Sequence, residues 1–302
     1  MEIENTYCEA FEGLFARICI TAKDENRLKR AAYGATALPS TVFGEAEGGI
    51  EKWLNEHETP DGRKGAMVQL WVNYNKGDDA AKKLEFEISK RIRQGILVVP
   101  TTSVFNALTS DFGSEGLIDT LDRIGHCGDG YETIEQRFGR EVIVVPIMMG
   151  EFLVEHFLGY KKGVMGGNLW FLCTNLEAAL DAGEKALRAI NRIEGAITPF
   201  DICAAGSKPE TNYPGIGPTT NHPYCPTLRH KISGSKVPEG VNFIPEIVIN
   251  GVSLDVVKEA MKAAMDSVRD IEGLVKISAG NYGGKLGKYR VFLRGIKEFL
   301  NV

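Results

Sequence analysis

NLEAALDAGEKALRAINRIEG, residues 175–195, and SLDVVKEAMKAAMDSVRDIEG, residues 253–273, align without a gap 78 positions apart. Each opens on a residue able to cap a helix, Asn175 or Ser253, and closes on an IEG triplet whose glycine suits a helix end. Leu176 matches Leu254, Ala182 matches Ala260 and Ala186 matches Ala264. The inner stripe recurs at helical spacing, as Ala179, Gly183, Ala186 and Ile190 in one copy and Val257, Met261, Ala264 and Val268 in the other. Each copy therefore predicts an amphipathic helix with one buried face, and Met261 is expected to fill the volume that Gly183 leaves open. The same offset pairs Asn168 with Glu246, each expected at the start of a strand that leads into its helix.

The first half repeats this order. RICITA (17–22) leads into a helix expected over Asp24 to Ala37, then a short strand near Thr41 to Gly44 and a longer one at AMVQLWV (66–72). A second helix is expected from near Asp78, with a stripe at Ala81, Leu84, Ile88 and Ile92, ending at Gly95 before ILVVP (96–100). Two rounds of strand, helix, strand, strand, helix, strand predict an α+β fold. It consists of two ferredoxin-like (βαββαβ) lobes, 1–147 and 148–302, each an antiparallel sheet covered by helices. A chain of 302 residues is long enough for each lobe to bury its own core. Residues 106–140 and 202–244 fall outside the pattern and are rich in Gly, Pro, Asn and Ser, which marks them as the expected walls of a cleft.

A net charge of −5 gives no general attraction to nucleic acid or an anionic membrane. Glu2 and Glu4 stand where a secretory signal needs basic residues, and the most apolar run, Val142 to Val154, is broken by Pro146, Gly150 and Glu151. A cytoplasmic protein is expected. Six cysteines without a CxxC spacing predict free thiols rather than a disulfide framework.

SAGNYGGKLGKY (278–289) packs four glycines and two lysines into twelve residues between β-prone runs. Gly280, Gly283, Gly284 and Gly287 would allow backbone N–H groups to converge on an anion, with Lys285 and Lys288 adding charge. It is not a P-loop, because Ala279 and Leu286 stand where that motif needs Gly and Ser or Thr. A plain glycine-rich hairpin between two strands is the alternative.

Among the acidic residues, Glu246 sits between Pro245 and an apolar run, where burial would raise its pKa and keep a proton on it. A solvent-facing glutamate at a strand edge is the competing reading. In GEAEGGIE (44–51), Glu45 and Glu47 would share a strand face, with Glu51 close behind. Asp129 in GDGYE reads first as a turn aspartate, and His222 in TTNHPYC as a capped loop histidine. His222 and Cys225 have no second ligand pair, so metal binding is not expected. Trp53, Trp71 and Trp170 read as core.

With ETPDGRKG (58–65), GDGYE (128–132), KKGVMGGN (161–168), ITPF (197–200), TTNHPYCPTL (219–228) and EIVING (246–251), the glycine-rich run makes seven blocks. They resemble, in order, the formylmethanofuran:tetrahydromethanopterin formyltransferase family. The resemblance implies a C1-metabolism enzyme that moves a formyl group directly between two carrier substrates, formylmethanofuran and tetrahydromethanopterin, with no prosthetic group. It also implies a homotetramer built as a dimer of dimers. Passage through a tetrahedral intermediate calls for a donor facing the oxyanion. The family's buried glutamate falls on Glu246, and Glu47 matches its AEAGIE pattern, where Glu45 replaces a proline. Substrate contacts are then expected from Asp129, Asn168, Lys208, His222, Gly280, Asn281, Tyr282, Gly283, Gly284, Lys285 and Lys288. ITPFDICAAGSK (197–208) is two residues shorter than the family's run and lacks its paired glycines. A second reading follows from that departure: a paralogue acting as a pterin-binding or assembly subunit with little or no transfer.

Overall fold

The computed structural model describes residues 1–37, 46–75, 79–108 and 113–298. The strand expected near Thr41 to Gly44, and Glu45, lie outside them. The chain forms two compact units, one of Gly13–Gly163 and one of Met1–Glu12 with Val164–Val302.

In chain order the first elements are β1 (Glu2–Ile3), β2 (Tyr7–Thr21), α1 (Glu25–Thr36), β3 (Ala46–Leu54), β4 (Gly65–Asn73), α2 (Ala80–Arg91) and β5 (Ser103–Asn106). There follow β6 (Gly116–Asp119), β7 (Thr133–Arg137), β8 (Arg140–Ile147), β9 (Gly150–Glu155) and β10 (Phe157–Cys173). In the Gly13–Gly163 unit the strands run in the order β3-β4-β2-β5-β9-β8-β7. Asp24 caps α1 and Asp79 caps α2, each carboxylate accepting from an N–H three residues on. Leu28, Ala31, Ala32 and Ala35 of α1 and Leu84 and Ile88 of α2 bury against Ile18, Ile20, Val68 and Leu70 of the sheet.

The second helix does not end at Gly95. It continues as a π-helical turn over Ile92–Leu97, and the strand that follows is β5 rather than ILVVP. The reason is a close backbone contact: a Cβ on Gly95 would lie 2.7–2.9 Å from the backbone of Gly34 and Ala35 in α1. The glycine thus serves as a contact surface and not as a terminator. Gly95→Ala should cost about 1–3 kcal/mol of stability by overpacking. An unchanged midpoint in urea unfolding would remove this role.

The remaining elements are α3 (Leu176–Ile190), β11 (Ala196–Ile197), β12 (Glu246–Gly251), α4 (Leu254–Ser267), β13 (Leu274–Ser278), β14 (Tyr289–Phe292) and α5 (Leu293–Glu298). In their unit the order is β11-β12-β10-β13-β1, with β14 pairing Tyr7–Ala10 of β2. The paired helices α3 and α4 are capped by Asn175 and Ser253, and their predicted inner stripes are buried. The volume beside Gly183 is occupied by Ile202, whereas Met261 lies against Cys8, with Sγ and Sδ 3.8 Å apart. Met261 therefore fills a different place from the one its alignment suggests, because the 202–244 loop supplies the filler.

That loop carries three short 3-10 turns and no long strand. Residues 106–140, by contrast, contain β6 and β7, which pair with β10 and β8. Their polar, turn-rich composition hid short strands whose pairing is set by partners elsewhere in the chain. No described helix is long and apolar enough to cross a membrane.

Candidate functional site

Glu246 opens β12 opposite Trp170 of β10, a register that brings the two side chains together. The carboxyl is 6% exposed and Oε1 accepts from the Trp170 indole N–H at 2.9 Å. Its backbone is bridged to Cys203, N–H to O at 3.0 and 2.9 Å, which holds the 202–244 loop over the strand start. Burial pushes the Glu246 pKa up, against the smaller opposing pull of hydrogen bonds from Trp170 and the Cys203 thiol. One oxygen is thus engaged by Trp170 and the group favours keeping a proton.

Glu246 lines a cavity of about 250 Å³ with Trp170, Asn221, Tyr224 and Phe243. The Tyr224 ring meets Trp170 edge-on, with centroids 4.7 Å apart. A second cavity, of about 490 Å³, shares Asn221 and Tyr224 and is lined further by Lys208, Lys236, Tyr282 and Lys285. Tyr282 donates from its hydroxyl to the Ser207 carbonyl at 2.7 Å, and burial above all pushes its phenol pKa up. Lys285 forms an ion pair with Glu210, which draws that carboxylate below its ordinary range. Both side chains are largely exposed, so the pair adds little to stability.

The run 278–289 is not a hairpin, because β13 pairs β10 and β1 while β14 pairs β2. The β-prone residues after it, VFLRG (291–295), are not one strand: Val291 and Phe292 end β14, and Leu293 starts α5. Backbone N–H groups do converge on an anion there, and the anion is Glu9. Its Oε1 accepts from Tyr282 and Gly284 at 2.7 Å each, and its Oε2 from Leu286 at 2.8 Å and Gly287 at 3.2 Å. Asn168 reaches the same run, Oδ1 accepting from Gly280 N–H at 2.7 Å. Lys288 pairs with Glu12 at 2.8 Å and does not line the larger cavity, whereas Asn281, Tyr282, Gly283 and Lys285 do.

Of the other expected site residues, His222 starts a 3-10 turn and lines neither cavity, although its neighbours Pro223 and Tyr224 do. Glu47 and Asp129 belong to the Gly13–Gly163 unit. Glu47 is 5% exposed on β3, opposite Trp71. Asp129 is exposed and left-handed, φ 56°, at the end of the Gly125–Gly128 turn. Glu51 belongs to a buried network: Arg17 holds it at 2.9 and 2.7 Å, Gln69 donates to it at 2.7 Å, and Trp71 Nε1 donates to Gln69 at 3.0 Å. Trp71 and Trp170 are core residues as expected, but Trp53 is 43% exposed. Glu9, Cys203, Tyr224 and Lys236 escaped the sequence reading. Glu9 alone left a trace, as an acidic residue between Cys8 and Ala10 near the start of β2. Among the described residues no group of three or more His, Cys, Asp or Glu is placed to hold a metal ion.

A mixed α+β chain in which a buried carboxyl of raised pKa lines a cavity has the features of the class of proteins that bind small ligands. The chain belongs to the formylmethanofuran–tetrahydromethanopterin formyltransferase family. The model of that description matches residues 1–147, and that of the proximal lobe, FTR, matches residues 150–296. A formylmethanofuran–tetrahydromethanopterin formyltransferase-like protein of Methanopyrus kandleri is 61% identical over 97% of this chain and 96% of its own. Methanothermobacter thermautotrophicus has one protein named with that suffix, 49% identical over 97% of both chains, and one named formyltransferase without it, 38% identical over 98% of both. The solved formylmethanofuran:tetrahydromethanopterin formyltransferase of Methanosarcina barkeri superposes with a TM-score of 0.89 at 40% identity, covering 98% of each chain.

Proposed function

We propose that the chain transfers a formyl group between formylmethanofuran and tetrahydromethanopterin in C1 metabolism, directly and through a tetrahedral intermediate. The observation that carries this reading is the buried Glu246 carboxyl, raised in pKa and lining a cavity. Protonated, it donates to the formyl oxygen as charge develops there, in a site where burial strengthens the bond. Glu47, buried on β3, is the second catalytic carboxyl of this reading. Lys208, Asn281, Tyr282, Gly283 and Lys285 contact substrate in the larger cavity. Asn168, Gly280 and Gly284 support that wall, and His222, Lys288 and Asp129 complete the binding set on the strength of the family resemblance. The strand orders β3-β4-β2-β5 and β11-β12-β10-β13 support two ferredoxin-like lobes; the bounds 1–147 and 148–302 belong to the same reading, although the compact units divide at Gly163 and place Met1–Glu12 with the second half. A cytoplasmic homotetramer, a dimer of dimers without a prosthetic group, belongs to the same reading.

One observation favours a second reading, a pterin-binding or assembly paralogue. The relatives at 49% and 61% identity carry the suffix "-like", and one organism has a protein of each name. Mixing purified protein with formylmethanofuran and tetrahydromethanopterin, and following the absorbance of the formylated pterin, separates the two. No transfer by folded protein leaves the paralogue.

The two lysines of the glycine-rich run should behave differently. Lys285→Ala is expected to raise the apparent substrate constant several-fold with little change in kcat, and added salt should imitate it. Lys288→Ala should have the smaller effect, since it pairs with Glu12 away from the cavity lining. Equal effects of the two changes would contradict this division.

A further inference from the structure

We infer that Glu9 is a positioning residue for substrate binding, its carboxylate being the internal anion around which residues 282–287 wind to form a wall of the larger cavity. The inference rests on the transferase reading for its kinetic consequence and on geometry alone for its structural one. Glu9 is 1% exposed and accepts four backbone N–H bonds, two on each oxygen. Such a set of converging amides is a nest that elsewhere receives phosphate or carboxylate ligands. Here its capacity is used by the chain's own side chain. Burial pushes the Glu9 pKa up, but the four N–H bonds outweigh it and hold the group below its ordinary range, so the nest contains a full negative charge.

Two close glycine contacts hold the run beside that carboxylate. Gly287 lies against the backbone of Ala10, where a Cβ would come within 2.5 Å of the carbonyl oxygen. Gly284 has φ +80°, and a Cβ there would strike the Arg290 guanidinium. From the same run Tyr282 reaches the Ser207 carbonyl and Lys285 pairs with Glu210, so the run is tied to the 202–244 loop that also lines the larger cavity. The anionic part of a substrate therefore does not enter the nest. It meets the Tyr282, Asn281 and Lys285 side chains that the nest aims.

Glu9→Ala would leave four inward N–H groups without an acceptor, and a small carboxylate from solution is the natural replacement. Glu9→Gln keeps the shape but offers one acceptor oxygen, and its amide N–H₂ faces two donors. Both variants are to be compared with wild type by hydrogen exchange of the 280–288 segment and by kinetics, in acetate and in chloride at equal ionic strength. Glu9→Ala should exchange the segment about tenfold faster and raise KM about tenfold with kcat nearly unchanged. Millimolar acetate should restore both and chloride neither. Glu9→Gln should fall between, and it decides the matter if the Ala variant does not fold. Unchanged exchange in a folded variant, or an acetate effect no larger than that of chloride, overturns the inference. If wild type shows no formyl transfer, the functional reading fails, while exchange and its rescue by acetate still decide the role of Glu9.

Discussion

Glu246→Ala protein, folded and pure, is expected to transfer formyl groups at about one hundredth of the wild-type rate or less, the usual loss when an oxyanion donor is removed. Glu246→Gln should fall between Ala and wild type. Its amide still donates from the same place, but it is a weaker partner for developing negative charge and cannot exchange a proton. The pKa shift gives the sign of the pH dependence. Burial raises the Glu246 value, so the donating form persists above the ordinary carboxyl range and is lost as pH rises through the folded-state value. Turnover should have an alkaline limb that the Gln variant lacks. The folded state also holds the proton more tightly than the unfolded one, so the contribution of Glu246 to stability falls as pH rises from the unfolded value to the folded one and is then constant. Circular dichroism and a melting curve for each variant separate lost chemistry from lost structure. A folded Ala variant with wild-type turnover would end the proposed mechanism.

Arg17→Met should destabilise the Gly13–Gly163 unit by about 3–5 kcal/mol, the range found when one partner of a buried ion pair is removed. Arg17 and Glu51 are each 2% exposed and are joined by two hydrogen bonds, 2.9 and 2.7 Å, while Arg17 Nη1 also donates to the Ala107 carbonyl at 3.1 Å. The substitution removes the guanidinium that balances the Glu51 charge and takes the donor from a carbonyl on the next strand end. Adding Glu51→Gln should recover part of the loss, because it removes the unbalanced charge and leaves an amide within reach of Gln69. Urea unfolding followed by fluorescence measures both changes. A loss below about 1 kcal/mol for the single variant would place the pair with weak surface ion pairs and contradict its burial.

Helices α1, α3 and α4 were legible because their signals are local, a capping side chain and an apolar stripe at helical spacing, while the glycines read as helix ends, Gly195 and Gly273, stand past the last helical residues Ile190 and Ser267. Gly95 carried the same local signal and meant something else, since the demand for a small residue came from Gly34 in another helix. β6 and β7 were missed for the related reason that a short polar strand is recognisable only beside its partner.

For the candidate site, the sequence by itself determined the family, the repeat, the placing of Glu246 at a strand start and the glycine-rich run as a place where N–H groups could gather. The family follows from the resemblance of seven blocks, and the other three from residue type and spacing. Only the tertiary structure decided what the N–H groups gather around, because Glu9 lies 273 residues from Tyr282 in the chain and no local pattern links them. It likewise decided that Trp170 and Cys203 flank Glu246, that Lys285 faces the cavity while Lys288 turns to Glu12, and that Ile202 takes the space beside Gly183. Each of these depends on burial and hydrogen bonding between segments far apart in sequence, where the free energy of a side chain is set by neighbours that only folding brings near it.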